Sequence, residues 1–379
     1  MNIYLDEDLQ AVATQTAEYV EREVVPVADA WETEGRVPRD VLRKMGEIGF
    51  FGLRVPEDDG GIGLGALASV VFAEQLGRST FGGFAITVLA HTDLAMPYLI
   101  KFGSHDLKQR YLPTMLSGEK IAGIAVTEPD AGSDVAAIRT TARADGDGFV
   151  INGTKMFITN GVEGDVILVA AKTDPDVKGS RGVSMFLVEK GTDGFTVGRS
   201  LSKMGWRSSD TAELVFSDCF VPASNLIGEE NRGFYYIMEN FQNERLILAG
   251  QSLGEAQRAI EITVEHLRER RAFGSALWTK QAIRQRLAMD QARVDAARQF
   301  TYHAAWLEEQ GVDTVRHVSE VKALVGELVN DVLYDCVQFH GGMGFIAETA
   351  VERMYRDARV QSIGGGATEV MLDEVAKRM

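Results

Sequence analysis

The sequence is poor in the residues on which disulfide, metal and hydrolase chemistry depends. Only two of its 379 residues are cysteines, Cys219 and Cys336, so neither a disulfide framework nor a zinc ribbon is expected. Its six histidines show no metal-ligand spacing, and neither an H-E-x-x-H motif nor a G-x-S-x-G nucleophile elbow occurs. These absences argue against a metal enzyme and against a serine hydrolase, and we predict no bound metal.

Positive charge and long apolar runs are also scarce. Lys and Arg total 39 against 55 Asp and Glu, which gives a formal net charge of −16. This charge repels the phosphates of nucleic acids and anionic membranes, so neither is expected as a partner. No apolar run approaches the roughly 20 residues of a membrane span, and the first residues lack the features of a secretory signal. The sequence therefore predicts a cytoplasmic protein, of bacterial type, without membrane insertion.

Hydrophobic residues, 45% of the chain, change their period twice along it. They recur at helical steps over residues 1–120, follow a strand-like period over 121–228, and return to the helical period over 229–379. Residues 234–271 contain no proline and predict a long helix, whereas Asn152-Gly153 predicts a type I′ hairpin turn. We therefore predict an α+β fold with an all-α N-terminal domain, a middle domain built on an antiparallel sheet, and a C-terminal helical bundle.

Two segments of the middle zone have the composition of ligand contacts. Residues 125–134 (AVTEPDAGSD) lead from a short apolar strand into a turn whose N–H groups and hydroxyls suit an anionic ligand. Residues 157–161 (FITNG) place an aromatic ring and a hydroxyl at alternating positions of a strand. Together with four later segments, they closely resemble the motifs of the acyl-CoA dehydrogenase family in the right order: 203–211 (KMGWRSSDT), 270–274 (RRAFG, with Gln281 following), 338–345 (QFHGGMGF) and 355–359 (YRDAR).

The resemblance implies a β-barrel-like middle domain, a C-terminal four-helix bundle, and one FAD per subunit of a homo-oligomer, usually a tetramer. Members of the family dehydrogenate an acyl-CoA and pass the electrons to an electron-transfer flavoprotein. By this resemblance, Phe157 would lie against the isoalloxazine and Thr159 would hydrogen-bond its N5. The implied cofactor contacts are Ile124, Ala125, Val126, Thr127, Ser133, Phe157, Ile158, Thr159, Arg270, Phe273, Gln281, Gln338, Gly341, Gly342, Thr368 and Glu369.

The later cofactor contacts are expected to serve a neighbouring subunit. Arg270, Phe273, Gln281 and residues 338–342 would reach the FAD of the next subunit, where a guanidinium suits a pyrophosphate bidentately. Ser133 would meet the pyrophosphate side of the FAD held by its own subunit. Glu369 is expected to contact the flavin or its own helix.

The family's common catalytic base is missing from its usual place. In most members a glutamate follows the R-D-A-[RK] motif, but here Gly365 stands at that position. Either the protein is an inactive relative or the base comes from elsewhere. The helical period places Glu244 on one apolar stripe with Phe241 and Leu248, where a carboxylate is costly unless it is paired or functional. Residues 244–249 (ERLILA) also resemble the base-carrying segment of the isovaleryl-CoA and long-chain branch, so we predict Glu244 as the base.

Substrate contacts are expected from Ser133, Gln242, Arg245 and Gly365. The backbone N–H of Gly365 would retain the polarisation of the thioester carbonyl. Arg245 either contacts the CoA-bearing substrate or forms a salt bridge across the bundle. Small residues at 364–366 favour a branched or bulky acyl chain, and the segments around 244 and 363–370 also resemble bacterial citronellyl-type enzymes. Two alternative functions stay open: an acyl-CoA oxidase, and a flavin-binding partner subunit of a heteromeric dehydrogenase.

Overall fold

The computed structural model of the protein describes residues 3–174, 176–177 and 181–379. Asp6 caps the first helix, because its carboxylate accepts a hydrogen bond from the N–H of Leu9 at 2.9 Å. Gly35 and Gly49 end the second and third helices with φ of 77° and 96°, a conformation that glycine adopts without strain. The helices of the first third are α1 (Glu7–Tyr19), α2 (Ala28–Glu34), α3 (Arg39–Ile48), α4 (Ala66–Gly77), α5 (Gly82–Leu89), α6 (Met96–Phe102) and α7 (His105–Leu116).

A single mixed sheet follows these helices. Its strands are β1 (Ala122–Ala125), β2 (Thr141–Asp145), β3 (Gly148–Thr159), β4 (Val166–Lys172), β5 (Val183–Glu189), β6 (Phe195–Ser200), β7 (Thr211–Pro222) and β8 (Leu226–Ile227). They lie in the order β6-β7-β3-β2-β4-β5-β8, and β1 pairs with β4. The sheet is mostly antiparallel, as predicted, but β1 runs parallel to β4. This pairing is possible because the β2–β3 hairpin separates the two strands, and parallel neighbours need such a long connection.

The Asn152-Gly153 dipeptide does not form the predicted hairpin turn. β3 runs through it without interruption, and Gly153 lies at a register shift against β7 with a φ of 152°. A Cβ at this position would come within 2.4 Å of the Thr140 Oγ1 atom. The glycine therefore serves a β-bulge and a close strand approach, while the hairpin closes between Asp145 and Gly148.

The C-terminal bundle contains three long helices, α8 (Gly233–Glu269), α9 (Gln281–Glu309) and α10 (Val315–His340). The short strands β9 (Arg271–Ala272) and β10 (Ser275–Ala276) join the first two, and α11 (Ala350–Ala358) and α12 (Thr368–Ala376) follow the third. Gly250 and Gly254 let α8 approach α4 closely, since Cβ atoms there would lie 2.7 Å from Val70 O and 1.9 Å from Glu74 O. Helices of the first and last thirds consequently share one apolar core.

The segment Gly82–Phe102 is longer and more apolar than the sequence analysis allowed. By length and composition it is long enough to cross a membrane, with a mean hydropathy of 1.3. However, 83% of its most apolar window is buried inside the protein. Its apolar character is therefore accounted for by packing, as in the core helix of a globular protein.

Candidate active site

Glu244 lies on the buried face of α8, 7% exposed. Its Oε1 atom accepts a hydrogen bond from the amide of Asn240 at 3.0 Å and a longer one from the Tyr98 hydroxyl at 3.5 Å. Burial raises the pKa of Glu244 to about 7, and Asn240, Arg245 and Tyr98 oppose this rise. A carboxyl with this pKa can exist in both protonation states near neutral pH, as a general base requires.

A π-helical turn, Ala90–Ala95, positions this glutamate. π-turns redirect backbone carbonyls away from the usual helical bonds. Here the carbonyls of Asp93 and Leu94 accept hydrogen bonds from the Asn240 amide at 3.2 and 3.4 Å, and the Asn243 amide also binds Asp93 O at 3.1 Å. The face of α8 that carries Glu244 is thereby docked on the π-turn.

The same π-turn holds the beginning of the sheet. Ala122 of β1 donates its N–H to the His91 Nδ1 atom at 3.0 Å, and the Nε2 atom lies 3.0 Å from Met115 O. Burial lowers the pKa of His91 to about 4, so the ring is neutral and accepts at Nδ1 while it donates at Nε2. One short segment thus connects the helix of the candidate base with the first strand of the predicted cofactor site.

Gly365, at the position where most of the family carries its base, lies beside the turn of α8 that follows Glu244. Its φ is 66°, and a Cβ would come within 2.4 Å of the Leu248 Cδ1 atom. Gly366 has a φ of 116°, and a Cβ there would lie 2.8 Å from the Met371 Cε atom. The space that these glycines were expected to leave for a bulky acyl chain is therefore partly taken by Leu248 and Met371.

Lys322 of α10 fixes the loop around Gly365. Its buried ammonium donates to Gln361 O at 2.5 Å and to Gly366 O at 3.3 Å. Burial lowers the pKa of Lys322 to about 8, and nearby Arg245 acts in the same direction. A charged donor inside the bundle holds the loop backbone in place, which is a role that the sequence analysis missed.

The two predicted cofactor segments of the middle zone are brought together by a buried ion pair. Lys155 of β3 contacts the Glu128 carboxylate at 2.8 Å and donates to Val126 O at 3.0 Å. Glu128 also accepts the N–H groups of Arg139 and Thr140 at 2.5 and 2.9 Å. Both charges are buried, and such a pair is retained only where its geometry satisfies every oxygen and proton. The sequence analysis did not identify this pair.

In the segments 124–127 and 157–159, some side chains point into the sheet core and others point towards solvent. Ala125 and Ile158 are buried in the sheet core, so only their backbone atoms remain for a ligand. Phe157, by contrast, is 66% exposed and holds a φ of 61° at a second register shift of β3. A non-glycine residue in this conformation is uncommon, and such strain concentrates at functional sites. Ile124, Thr127 and Thr159 are half-buried, and Val126 is 9% exposed.

The turn after β1 is open to solvent. Ser133 is exposed, and a Cβ added to Gly132 would meet nothing within 4 Å. The exposed ring of Phe157 and the segment that leads to this open turn are adjacent, because Met156 donates its N–H to Thr127 O at 2.9 Å. An exposed aromatic ring, hydroxyls and free N–H groups are the groups that a flavin with its phosphate-bearing tail requires. On this observation, the residues present fit the cofactor that the resemblance implies.

Two residues near Glu244 have buried polar atoms without a protein partner. Gln242 Oε1 and Arg245 Nε accept or donate no hydrogen bond within the described part of the chain. Arg245 also forms no salt bridge within 4 Å among the described residues, and its guanidinium lies 5.3 Å from the Phe241 ring centre. Buried groups in this state are costly unless a ligand satisfies them, which favours the predicted substrate contacts over a salt bridge across the bundle.

Thr368 and Glu369 begin α12 at the other side of the Gly365 loop. Thr368 is half-buried and donates its hydroxyl to Glu327 at 2.7 Å, whereas Glu369 is exposed in the first turn. An acidic residue in the first turn of a helix is stabilised by the helix dipole. Glu369 thus lies in the first turn of α12, and both residues stay near the loop.

The remaining predicted cofactor contacts lie at the far end of the bundle. Arg270 is near the opposite end of α8 from Glu244, about 39 Å along the axis at about 1.5 Å of rise per residue. A stack of His266 on His340, with ring centres 4.3 Å apart, joins the ends of α8 and α10 there. Exposed residues at this end include Arg270, Gln281, Gln338, Gly341, Gly342, Phe345 and Phe273, the last of which exposes 95% of its surface.

The motifs 203–211 and 355–359 meet in the interior. Asp357 accepts the N–H groups of Trp206 at 2.6 Å and Gly82 at 3.1 Å, and burial raises its pKa to about 7. Ser208 donates its N–H to the Glu32 carboxylate of α2 at 2.8 Å. These motifs therefore tie the middle zone to helices from both ends of the chain, a structural role that their spacing alone did not reveal.

Comparison with known proteins agrees with this arrangement. Models of the N-terminal, middle and C-terminal domains of acyl-CoA dehydrogenases match residues 6–119, 123–219 and 231–379. The mitochondrial long-chain specific acyl-CoA dehydrogenase of Sus scrofa is 40% identical over 365 residues, covering 95% of this chain and 84% of that protein. The mitochondrial isovaleryl-CoA dehydrogenase of Pongo abelii is 36% identical over 369 residues, 97% and 87% of the two chains. A solved FAD complex of PigA superposes with a TM-score of 0.95 at 30% sequence identity, and the match covers 100% of this chain and 99% of that one.

Proposed function

Because the chain belongs to the acyl-CoA dehydrogenase family, we propose that it oxidises an acyl-CoA thioester to the trans-2-enoyl-CoA with Glu244 as its base. FAD is the cofactor. One observation supports the assignment of the base most directly. The buried Glu244 carboxyl lies one helical turn before Leu248, and Leu248 packs against Gly365. A base on α8 can thereby serve the place where most of the family uses a glutamate at the position of Gly365.

Glu244 and the residues around it have different roles in the proposed reaction. Glu244 breaks the α C–H bond by taking the proton, and the electron pair of that bond becomes the new double bond. Bound FAD supplies the acceptor for the hydride that leaves the β-carbon. The N–H of Gly365 polarises the thioester carbonyl, which stabilises the charge that develops there as the proton leaves. Arg245 supplies a buried positive charge beside the base, and its unpaired Nε atom is available to the substrate.

The cofactor would be held by the two segments that Glu128 and Lys155 pin together. Phe157 offers an exposed ring to the flavin, Thr159 and Thr127 offer hydroxyls, and the open turn at Ser133 offers N–H groups to the phosphates. The exposed residues beyond Arg270 lie too far along α8 to complete the same site. They would serve the FAD of a second copy, which makes the active protein a homo-oligomer, in our proposal a tetramer.

Three further assignments complete the proposal. Electrons leave to an electron-transfer flavoprotein, the protein acts in the cytoplasm, and its chain divides into domains at residues 1–120, 121–228 and 229–379. Ser133 and Gln242 join Arg245 and Gly365 as substrate contacts, the first exposed and the second with an unpaired buried oxygen. The preferred acyl chain is to be identified by measuring turnover across straight and methyl-branched acyl-CoAs.

The proposal is tested on the purified protein under anaerobic conditions. We expect a yellow protein whose oxidised-flavin absorbance is bleached by an acyl-CoA without added nicotinamide. Reoxidation by an electron-transfer flavoprotein, with slow reoxidation by oxygen, distinguishes a dehydrogenase from an oxidase. A colourless protein that cannot be reconstituted with FAD contradicts the proposal. Bleaching only after addition of a second homologous subunit favours the heteromeric alternative.

A further inference from the structure

The two oxygens of the Glu244 carboxyl have different surroundings. Asn240 and Tyr98 both donate to Oε1, at 3.0 and 3.5 Å. No described residue donates a hydrogen bond to Oε2, although the side chain is 7% exposed. A carboxylate held at one oxygen by two donors from different elements has a fixed direction for its other oxygen.

Asn240 is bonded to the π-turn Ala90–Ala95, and Tyr98 lies on the helix that continues from this turn. Asn240 is 2% exposed and also contacts the carbonyls of Asp93 and Leu94. Tyr98 is fully buried on α6, which continues directly from the π-turn. The hydroxyl of Tyr98 has Glu244 as its hydrogen-bond acceptor. A side chain that is buried and held in this way transmits the geometry of the π-turn to the carboxyl.

We propose that Asn240 and Tyr98 are positioning residues for the proton transfer, and that they fix Glu244 through Oε1 so that Oε2 takes the α-proton. This inference rests on the proposed function for the identity of the proton, but its geometry is independent of the substrate. Neither residue needs to touch the substrate, since each acts through Glu244. The π-turn is then a built part of the site, because it binds Asn240 and leads directly into the helix of Tyr98.

The charged and titratable groups that face Glu244, directly or through Arg245, come from five elements. They are Arg245 on α8, Tyr98 on α6, Asp93 on the π-turn, Lys322 on α10, and Glu374 on α12 through Arg245. Of these, Tyr98 can be changed with the least disturbance, because Phe keeps the ring and removes only the hydroxyl. Loss of a donor disfavours the ionised carboxylate, so the midpoint for ionisation of Glu244 moves upward in pH.

The test measures the ionisation of Glu244 directly by infrared difference spectroscopy, with Glu244→Gln used to identify its band. We expect Tyr98→Phe to raise the midpoint by about half a pH unit and Asn240→Leu by about one pH unit. In turnover, kcat of Tyr98→Phe should fall about threefold below the midpoint and recover only in part at higher pH, because the ionised carboxylate is then no longer held in one direction. The KM for acyl-CoA should change less than about twofold, because substrate contacts are retained.

Tyr302→Phe is the matched control. Tyr302 is also buried and donates to a buried carboxylate, Glu74, at 2.8 Å, but it lies outside the candidate site. It should lower thermal stability and leave the midpoint of Glu244 unchanged. Equal midpoints in the wild type and Tyr98→Phe overturn the proposal, as does an equal shift in Tyr302→Phe.

The infrared titration requires no turnover, so the two proposals fail separately. A protein that shows the midpoint shifts but dehydrogenates no acyl-CoA contradicts the proposed function, while it still supports the anchoring of Glu244 by Tyr98 and Asn240. A protein that dehydrogenates acyl-CoA without any shift in Tyr98→Phe contradicts the positioning role alone. If Asn240→Leu does not fold, the midpoints measured in Tyr98→Phe and in its control Tyr302→Phe are sufficient to test the positioning role.

Discussion

Two glutamates on one face of α8 look alike by most measures. Glu244 and Glu255 are about three helical turns apart, and both are buried, at 7% and 1% exposure. Burial raises the pKa of the first to about 7 and that of the second to about 8. A perturbed pKa alone would therefore favour Glu255 as strongly as Glu244 as the functional residue.

Their surroundings separate the two residues. Glu244 receives donors from two elements at Oε1, and Gly365 packs against the next turn of its helix. Glu255 has a donor from its own helix, Gln251, at 2.8 Å, and its Oε2 is buried without a partner within the described residues. The comparison shows that a base is recognised by an accessible and oriented oxygen, whereas burial by itself only makes a carboxyl neutral.

Replacing each glutamate with glutamine should give the largest difference in activity between the two positions. We expect Glu244→Gln to lose roughly 10²- to 10⁴-fold in kcat, because the amide keeps the volume but cannot accept the α-proton. Glu255→Gln should retain activity within a few-fold, since its carboxyl is already neutral and sealed. Anaerobic bleaching of the flavin by acyl-CoA measures both rates.

Binding of FAD and acyl-CoA is the control for these two variants, because a lost base should not affect it. Glu244→Gln should keep FAD and still bind acyl-CoA, as shown by a perturbed flavin spectrum without bleaching. Wild-type rates in Glu244→Gln, or comparable losses in both variants, would remove the functional distinction between the two glutamates.

A second test follows α8 to its far end, where the proposed site belongs to another subunit. We expect Arg270→Glu to weaken FAD binding at least tenfold, because a carboxylate replaces the guanidinium opposite a pyrophosphate. Arg268→Glu is the matched control, since Arg268 is also exposed and lies 5.6 Å over the Trp278 ring. FAD content after dilution and mass in solution are measured together. A monomer of Arg270→Glu that keeps its FAD would contradict the assignment to a neighbouring subunit.

The order of elements was largely predictable from hydrophobic periods. The long helix over 234–271 and the strands of the middle zone follow from local pattern, and the family resemblance supplied the cofactor and Glu244. The parallel β1–β4 pair and the bulge at Gly153 were not predictable, because they depend on contacts with distant strands. The same holds for the π-turn, whose redirected carbonyls are satisfied by Asn240 and Asn243 from another helix.

The apolar stripe of α8 is an incomplete guide to the base for the same reason. It identifies buried carboxylates on α8 but does not distinguish Glu244 from Glu255, so the resemblance of residues 244–249 made the choice. Buried Glu128 and Lys155 were missed because residues so far apart give no local signal that they pair. Long-range electrostatic partners become visible only once strand register is known.

The pH dependence of stability offers a third, smaller contrast. Burial raises the pKa of Glu255 from 4.5 to about 8 in the folded protein. Between these values the folded protein holds a proton that the unfolded chain has released, so the wild type loses stability as pH rises from about 5 to about 8. Glu255→Gln cannot ionise and should be more stable than the wild type at pH 8 by about 4 kcal/mol, on the order of 1.4 kcal/mol per pKa unit.

The difference between Glu255→Gln and the wild type should shrink to about 1 kcal/mol near pH 5, where both folded proteins are neutral at this position and the unfolded wild type is only partly protonated. Thermal unfolding at pH 5 and pH 8 measures it, and exposed Glu269→Gln controls for the loss of a charge from α8. A constant difference at both pH values would mean that Glu255 is ionised in the folded protein.

The smallest expected effect concerns the glycine beside the Glu244 face. Gly365 has a φ of 66° and faces the Leu248 Cδ1 atom, whereas a Cβ at Gly364 would meet only Val360 atoms at 3.6 Å. We expect Gly365→Ala to cost about 1 kcal/mol of stability and to slow turnover, since both strain and contact act on the N–H that we propose as the partner of the thioester. Gly364→Ala should be nearly neutral in both measurements. Adding Leu248→Ala to Gly365→Ala removes the contact but not the strain of the positive φ, so only part of the lost activity should return. Full recovery would assign the effect to crowding next to Glu244, and no recovery would assign it to the backbone.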